Sequence, residues 1–193
     1  MTFMPHEHAP ETLESIEELR EKHLSGFQIP VFYQNSIDYE GSGLWPIDIR
    51  LCGLYNSEEQ FQPSLSYWFK VRGKLSEESA LHRCALAYAS DLFFGSVSLK
   101  PHLRKDMKIL TLCLDHSYVA NPLTFISSII CFHRPVKADD WFLFVMEAPS
   151  SCNGRGFSTG RMFNRKGELV MSLAQEALLR EVRQRNQKPQ AKL

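Results

Sequence analysis

SEESALHRCALAYASDL, residues 76–92, is the stretch on which the interpretation of the fold rests. Ser76 is a candidate N-cap, because a serine hydroxyl can accept a hydrogen bond from a free N–H group of the first helical turn. Apolar and small side chains then recur at the spacing of one helix face. The members of this face are Leu81, Cys84, Ala85, Tyr88 and Leu92. The stretch therefore predicts a long helix that is slim enough for a sheet to wrap around it.

Segments on both sides of this helix have the composition of strands, with alternating apolar residues or aromatic and β-branched runs. The predicted strands are Ile47–Leu51, Ser66–Val71, Lys108–Leu114, Trp141–Glu147, Gly156–Asn164 and Glu168–Leu178. Arg165-Lys166-Gly167 is predicted to be a tight turn between the last two. A long helix against an antiparallel sheet is an α+β plan.

The composition excludes several classes of function. Hydrophobic residues make up 44% of the chain and charged residues 23%, as in an ordinary globular protein. The formal net charge is zero, so no cationic surplus exists to neutralise a phosphate backbone, and nucleic acid is not expected as a partner.

The longest uncharged run, 117–133, contains Pro122 and is shorter than the roughly 20 apolar residues that span a bilayer, so no membrane segment is expected. The 5 cysteines form no C-x-x-C pair, which predicts free thiols in a reducing compartment.

The two ends of the chain differ from its middle. Residues 9–25 predict a charged helix with a narrow apolar stripe, and residues 26–45 contain the glycines and prolines of an extended linker. The chain ends on Ala191-Lys192-Leu193, after a polar tail. This ending is a near variant of the Ser-Lys-Leu address that a peroxisomal import receptor binds. It predicts that receptor as a partner and the peroxisomal matrix as the location.

Several motifs, taken in sequence order, carry a resemblance to a known family. They are HRCALAYASDL (82–92), LDHS (114–117), FHRPVKADDW (132–141), GRGFSTG (154–160) and MFNRKGELVMSLAQEALLR (162–180), followed by the AKL end. In this order they resemble the acyl-CoA thioesterase II family, and more narrowly its plant peroxisomal members. The resemblance covers residues 46–193 and implies a hotdog fold, in which an antiparallel sheet wraps around a long central helix. Family members carry two such domains in one chain, and only the second is visible here.

The resemblance also implies how the chain is divided. Residues 1–45 would be the linker between two hotdog domains, including the charged helix. Residues 46–185 would be a single hotdog thioesterase domain, and residues 186–193 the polar tail with the peroxisomal signal. Because a single hotdog leaves one sheet edge uncovered, we expect a homo-oligomer with the aromatic strand 66–71 near the contact.

The activity that the resemblance implies is hydrolysis of fatty acyl-CoA thioesters to free fatty acid and coenzyme A, with no cofactor and no metal ion. In the family an aspartate, a hydroxyl and a glutamine hold and polarise the attacking water. Asp115 of the L-D-H motif and Gln175 of the A-Q-E motif match the aspartate and the glutamine. The family hydroxyl follows the strand that ends here at Glu147, which makes Ser150 the candidate and Ser151 the reserve. Such a set suits direct attack by water on a thioester carbonyl.

One segment departs from the family pattern. Two residues separate L-D-H-x from F-H-R-P in the family, whereas 14 residues, 118–131, do so here. The surplus, 118–129, is uncharged and apolar, which indicates a retained intron or a wrongly assigned exon junction; a genuine loop insertion is the other interpretation. If the surplus bulges out, Asp115 keeps its place. If residues 126–130 take over the strand, Asp115 moves away and Ser127 occupies its place. The alternative function is then a non-catalytic hotdog remnant that serves only in packing or pairing.

Overall fold

The computed structural model describes residues 3–26, 46–53, 62–102 and 123–179. Within these ranges the α-helices are α1 (Ile16–Leu24) and α2 (Ser79–Asp91). The strands are β1 (Ile47–Leu51), β2 (Ser64–Val71), β3 (Leu123–Phe132), β4 (Phe142–Cys152), β5 (Arg155–Asn164) and β6 (Leu169–Leu179). Short 3-10 helices occupy Pro10–Thr12 and Ser96–His102. In these same ranges no helix combines the length and the apolar character that crossing a membrane requires.

The strands form one six-stranded antiparallel sheet in the order β1-β2-β4-β5-β6-β3. The predicted tight turn between β5 and β6 is confirmed, since the Gly167 amide donates to the Asn164 carbonyl at 2.9 Å and Gly167 has a φ of 77°. Asn153 and Gly154 make the turn between β4 and β5, with φ values of 51° and 71°. Two positive φ values in succession match the twist of a two-residue hairpin.

The sequence predicted five of these strands to within a few residues of their ends. The sixth predicted strand, 108–114, lies outside the described residues. The oligomer contact near the aromatic strand stays a prediction, and β2 itself is not an edge strand, because it lies between β1 and β4 in the sheet. Both of its faces are covered by the chain itself: Tyr67 and Phe69 are fully buried on one side and Trp68 is buried on the other.

Helix α2 packs on one side of the sheet, which we call the helix face. Its buried residues are His82, Leu86, Ala89 and Ser90. The predicted buried face is wrong at Leu81 and Tyr88, which are 41% and 58% exposed, and at Cys84, which is also exposed. The polar His82 takes the buried position because its Nδ1 accepts a hydrogen bond from the Ala138 amide at 3.0 Å. This bond removes the cost of burying the imidazole.

The ends of α2 also differ from the prediction. Its N-cap is Glu78, whose side chain makes no capping hydrogen bond, so the assignment of Ser76 as the cap is wrong. Ser76 is two residues too early, and the chain at 74–76 is irregular. The last residue of the helix is Asp91, which brings a carboxylate to its C-terminal end.

The N-terminal segment packs on the opposite face of the sheet, which we call the outer face, and along its β1 edge. Helix α1 begins with a capping box in which Ser15 and Glu18 satisfy each other's backbone amides. Ile16 and Leu19 are buried against β1. The Trp68 Nε1 donates to the His8 carbonyl at 2.9 Å. The helix predicted over 9–25 is therefore a 3-10 turn followed by a shorter α-helix, and most of the predicted linker lies outside the described residues.

Candidate active site

Gln175 lies in the middle of β6, with its side chain on the helix face. The residue is only 5% exposed. Its Nε2 donates to Asp91 Oδ1 at 3.4 Å. Its Oε1 is buried and has no hydrogen-bond partner within the described part of the chain. A buried acceptor without a partner costs about 1–3 kcal/mol, so a position of this kind calls for a functional explanation.

Asp91 brings a carboxylate to Gln175 from the end of α2. Its side chain is exposed to solvent, unlike that of Gln175. The charge of Asp91 also reaches into the core: burial raises the pKa of Tyr67 well above its ordinary value, and the negative charge of Asp91 raises that pKa further. The Asp91 carboxylate therefore lies at the border of the helix face, where it contacts both solvent and the amide of Gln175.

Hydroxyl groups flank Gln175 on both neighbouring strands. Ser158 on β5 is the direct partner of Gln175 in the ladder, and it is only 2% exposed. Ser128 on β3 is the partner on the other side and is exposed. Directly opposed residues of an antiparallel pair point to the same face with Cβ atoms about 4.5–5.5 Å apart. Ser158, Gln175 and Ser128 thus form one polar row across the helix face.

Ser150, the hydroxyl predicted from the sequence, is not part of this row. It pairs with Phe157, whose side chain is exposed on the outer face. Ser150 is exposed too, and its Oγ lies 3.7 Å from Cys152 Sγ. The structure therefore does not bring Ser150 to Gln175, and its catalytic role stays a prediction from the family pattern.

Ser151, the reserve, does point to the helix face. Its partner in the ladder is Gly156, one position along the face from Ser158. Ser151 Oγ donates to the Ser98 carbonyl at 2.6 Å and lies 2.7 Å from His102 Nε2. Because the hydroxyl proton goes to a carbonyl, the imidazole acts as a donor here and does not activate the serine as a nucleophile.

Asp115, the predicted aspartate, lies outside the described residues. The strand that follows it is described, and the surplus segment is built into it: residues 123–129 form the first part of β3 and pair with β6. Residues 126–130 therefore belong to the strand, as the second interpretation predicted, and the displacement of Asp115 stays a prediction. Ser127 pairs with Glu176, and Ser128 pairs with Gln175. Ser127 thus lies on the outer face, and Ser128 is the residue of β3 that lies beside the glutamine.

A cavity with a volume of about 480 Å³ lies at the opposite end of α2. Its lining includes Ser79, His82, Lys137 and Trp141. Ser79 opens a helix that Asp91 closes, about 18 Å away at 1.5 Å per residue. His82 is already bound to the Ala138 amide. The polar row at Gln175 therefore lies apart from this cavity. Its amide and hydroxyl groups suit the hydrolysis of an activated acyl group.

The sequence predicts Gln175 as a site residue but does not indicate its neighbours Asp91 and Ser158. Asp91 ends a helix motif, and Ser158 is part of a strand motif. Asp91 meets Gln175 because of its position at the helix end, and Ser158 because of its position in the ladder. No local sequence pattern contains either relation. The orphaned Oε1 of Gln175 is equally invisible in the sequence.

Comparison with known proteins gives this geometry a context. The family model described as the acyl-CoA thioesterase C-terminal domain matches residues 46–179. Acyl-coenzyme A thioesterase 8 of Rattus norvegicus is 30% identical over 180 residues, which are 92% of this chain and 52% of the rat protein. The chain therefore spans about half the length of that relative.

Solved structures agree on the fold. The crystal structure of an acyl-CoA thioesterase II, TesB2, from Mycobacterium marinum superposes with a TM-score of 0.61 at 22% identity, covering 94% of this chain and 57% of that one. A conserved protein with a hot dog fold from Alicyclobacillus acidocaldarius has a TM-score of 0.57 at 14% identity, covering 95% and 56% of the two chains. At these identities the likeness concerns the fold alone. The predicted α+β hotdog fold is confirmed.

Proposed function

Since this chain belongs to the acyl-CoA thioesterase family, of which it carries the C-terminal domain, we propose that it hydrolyses fatty acyl-CoA thioesters to free fatty acid and coenzyme A. The observation that carries the proposal is the side chain of Gln175, which is buried on the helix face with an unpartnered Oε1. An acceptor in that position can hold one hydrogen of a water molecule, while its Nε2 side already meets a carboxylate. Water held in this way is the nucleophile that thioester hydrolysis needs.

An apolar surface beside Gln175 supports an acyl substrate. Ile130 and Phe132 follow Ser128 at alternate positions of β3, so they share its face, and each is 37% exposed. On β6 they adjoin Leu173 and Met171, which are buried. An acyl chain lying along this surface would remove apolar area from water at about 25 cal/mol per Å². Its thioester end would then meet the polar row.

The test is release of free thiol from a range of acyl-CoAs by the purified full chain. We expect Gln175→Ala to lower kcat by about 10²–10³, the cost of losing one group that stabilises the reacting centre. Ser172→Ala is the matched control, because Ser172 lies on the outer face of the same strand, where it is bonded to His133 at 2.8 Å. Absence of thiol release at high enzyme concentration, for every acyl-CoA tested, would contradict the proposal.

A second candidate function is a pairing module without catalysis. The observation that favours it is the entry of residues 123–129 into β3, since these residues take up the strand that the family aspartate would precede. The same assay separates the two candidates: the pairing module releases no thiol, and its Gln175→Ala variant behaves like the parent chain.

The remaining proposals concern the division of the chain and its C-terminal end. We propose that residues 1–45 act as a linker, that 46–185 form the hotdog domain with an insertion at 118–129, and that 186–193 carry the peroxisomal address.

Ala191, Lys192 and Leu193 would then bind the import receptor and direct the protein to the peroxisomal matrix. A fluorescent reporter that ends in the last ten residues should become punctate and coincide with a peroxisomal marker. Replacing Leu193 by a charged residue should return it to the cytosol, whereas a diffuse signal from both forms would reject the address.

A further inference from the structure

We propose that the cavity at the N-terminal end of α2 binds a small organic monocarboxylate, with the carboxylate at His82 and the apolar part of the ligand against the sheet. The volume of about 480 Å³ is in the usual range of small-molecule pockets. The cavity lies at the opposite end of α2 from Asp91 and Gln175, and its residues are separate from those of the proposed thioesterase function.

His82 is the side chain that points to a ligand, because only one of its two ring nitrogens has a partner. The residue is 4% exposed and lines the cavity. Its Nδ1 accepts a hydrogen bond from the Ala138 amide at 3.0 Å, so the proton of the neutral ring lies on Nε2. Nε2 has no hydrogen-bond partner within the described residues. A buried donor without a partner is costly, and an acceptor bound in the cavity would remove that cost.

The first turn of α2 supplies further donors. The N-cap residue, Glu78, makes no capping hydrogen bond through its side chain. The Glu78 carbonyl accepts from the amides of Leu81 and His82 at 3.1 and 3.5 Å, which leaves the amides of Ser79 and Ala80 without a partner in the helix. A helix start also carries a partial positive charge. Free amides and this charge together favour an anion at the Ser79 end of the cavity.

The charged side chains of the lining favour one negative charge over two. Three are cationic and two are anionic: Lys137, Arg165, Lys166, Glu77 and Asp140. Lys137 is paired with Glu77 at 2.9 Å, and Arg165 is paired with Glu11. Lys166 forms no salt bridge within the described part of the chain, so it is the cation that remains for a ligand. Because Asp140 repels a dianion more strongly than a monoanion, a carboxylate suits the cavity better than a phosphate monoester, which carries nearly two charges at neutral pH.

Apolar side chains form another part of the lining. Phe142 and Val170 are buried residues of the sheet, and Val136 packs against the same core cluster from the loop between β3 and β4. A ring or short chain of a ligand that lies against these side chains removes apolar area from water. The ligand therefore combines a single carboxylate with an apolar body.

The experiment measures the Kd of the purified full chain for three probes that share a phenyl ring, by isothermal titration calorimetry at about pH 8, where a phosphate monoester is a dianion. The probes are benzoate, benzyl alcohol and phenyl phosphate. We expect benzoate to bind at least about tenfold more tightly than benzyl alcohol, because the alcohol makes no charge-assisted hydrogen bond. Phenyl phosphate should bind more weakly than benzoate.

His82→Asn separates the roles of the two ring nitrogens. The shorter amide side chain reaches the position of Nδ1 and can still accept from the Ala138 amide, but it has no donor at the position of Nε2. We expect it to weaken benzoate binding by about tenfold, the effect of one hydrogen bond to a charged group. His133→Asn is the matched control, because His133 lies outside the lining and is bonded to Ser172 on the outer face. It should leave the Kd unchanged.

The charge of the lining is tested in the same assay. Lys166→Ala should weaken benzoate binding by about threefold, and Asp140→Asn should strengthen it by about twofold, as expected for exposed charges that solvent screens. Lys22→Ala is the control for Lys166→Ala, since Lys22 lies on α1 and outside the lining. Melting curves establish that each variant is folded, and Lys166→Ala keeps the inference testable if His82→Asn does not fold.

Several results would overturn the inference. A parent chain that does not bind benzoate at millimolar concentration has no such site, and equal Kd values for the parent chain and His82→Asn reject the role of Nε2. Tighter binding of phenyl phosphate than of benzoate rejects the monocarboxylate as the ligand class, and equal binding of benzyl alcohol rejects an anion site. Loss of benzoate binding in Gln175→Ala would place the probe at the polar row instead of in this cavity.

Discussion

At the scale of single residues, the Tyr67 hydroxyl links the core to the end of α2. The residue is fully buried, and its hydroxyl donates to the Ala89 carbonyl at 3.1 Å. Its ring packs edge-on against Phe93 and Phe144, at centroid distances of 5.3 and 5.5 Å. Burial, followed by the charge of Asp91, raises the pKa of Tyr67 well above its usual value. The folded state therefore holds the phenol proton more tightly than the unfolded chain does.

This difference predicts how stability depends on pH. A raised folded-state pKa contributes stability that is fully present below the unfolded pKa of about 10 and is lost as the pH rises towards the folded pKa. Tyr67→Phe should cost about 1 kcal/mol of unfolding free energy at about pH 7, through loss of the hydrogen bond. Above about pH 10 the parent chain should lose stability faster than the variant. Denaturant unfolding at both pH values measures the two differences.

The control for this prediction is Tyr88→Phe on the same helix. Tyr88 is 58% exposed, so removing its hydroxyl should change the unfolding free energy at neutral pH by no more than about 0.5 kcal/mol. If the gap between the parent chain and Tyr67→Phe stays constant from neutral to alkaline pH, the phenol proton is not linked to folding.

Elements were easier to predict than the faces that they bury. Alternation and turn residues predicted the β5–β6 hairpin, because strand period and turn chemistry are local properties. The buried face of α2 could not be predicted in the same way, since apolar residues lie on more than one side of it. The buried face is set by a contact that is distant in sequence. The Ala138 amide donates a hydrogen bond to His82, and this bond brings a polar residue into the core. Leu81 and Tyr88 therefore stay exposed.

Strand β3 is the element whose residues differ most from those that the family pattern predicts. Residues 123–129 supply its first part, although the family pattern places the polar residues 115–117 just before 130–132. Deleting 118–129 would join Ser117 to Ile130 and put 111–117 in the ladder positions of 123–129. We expect the variant to be more soluble and to melt a few degrees higher, because an uncharged apolar segment is removed from the edge of the sheet.

Thermal melting and the soluble fraction after expression measure this effect. Ile129→Thr in the undeleted chain is the control, since it removes one 64%-exposed apolar side chain and keeps the strand. The deletion also returns Asp115 to the strand beside β6, so Asp115→Asn can be tested in that background. A deletion variant that melts lower than the parent chain would show that the segment is an integral part of the sheet.

At the scale of the whole molecule, the two edges of the sheet differ. The β1 edge is covered by the N-terminal segment: Ser15 forms a bridge with Arg50, and α1 packs beside it. At the other edge, no described strand pairs with the outer side of β3. That edge has no lysine or proline in its ten residues to discourage pairing. The sequence predicted an uncovered edge and a contact near the strand 66–71, whereas β2 lies inside the sheet, because strand order follows from tertiary pairing.

Among the described strands the outer side of β3 has no partner, and we predict that two copies associate through it. Antiparallel pairing of one β3 with the β3 of a second copy, about a two-fold axis, satisfies the free backbone groups of both strands at once. It would also cover Ile129, which is 64% exposed. A monomer with a long apolar edge strand is prone to uncontrolled association, so a closed dimer is the expected state. We expect sedimentation velocity at micromolar concentration to give the mass of a dimer or of a larger closed assembly.

Ile129→Lys should shift the sedimenting species towards the monomer, because two lysines would face each other across the two-fold axis and edge lysines oppose strand pairing. Leu24→Lys is the matched control: Leu24 is 76% exposed but lies at the end of α1, away from β3. It should leave the assembly unchanged, since a charge there meets no partner strand. A parent chain that sediments as a well-behaved monomer would contradict pairing through β3. Equal dissociation by both lysine variants would place the contact elsewhere.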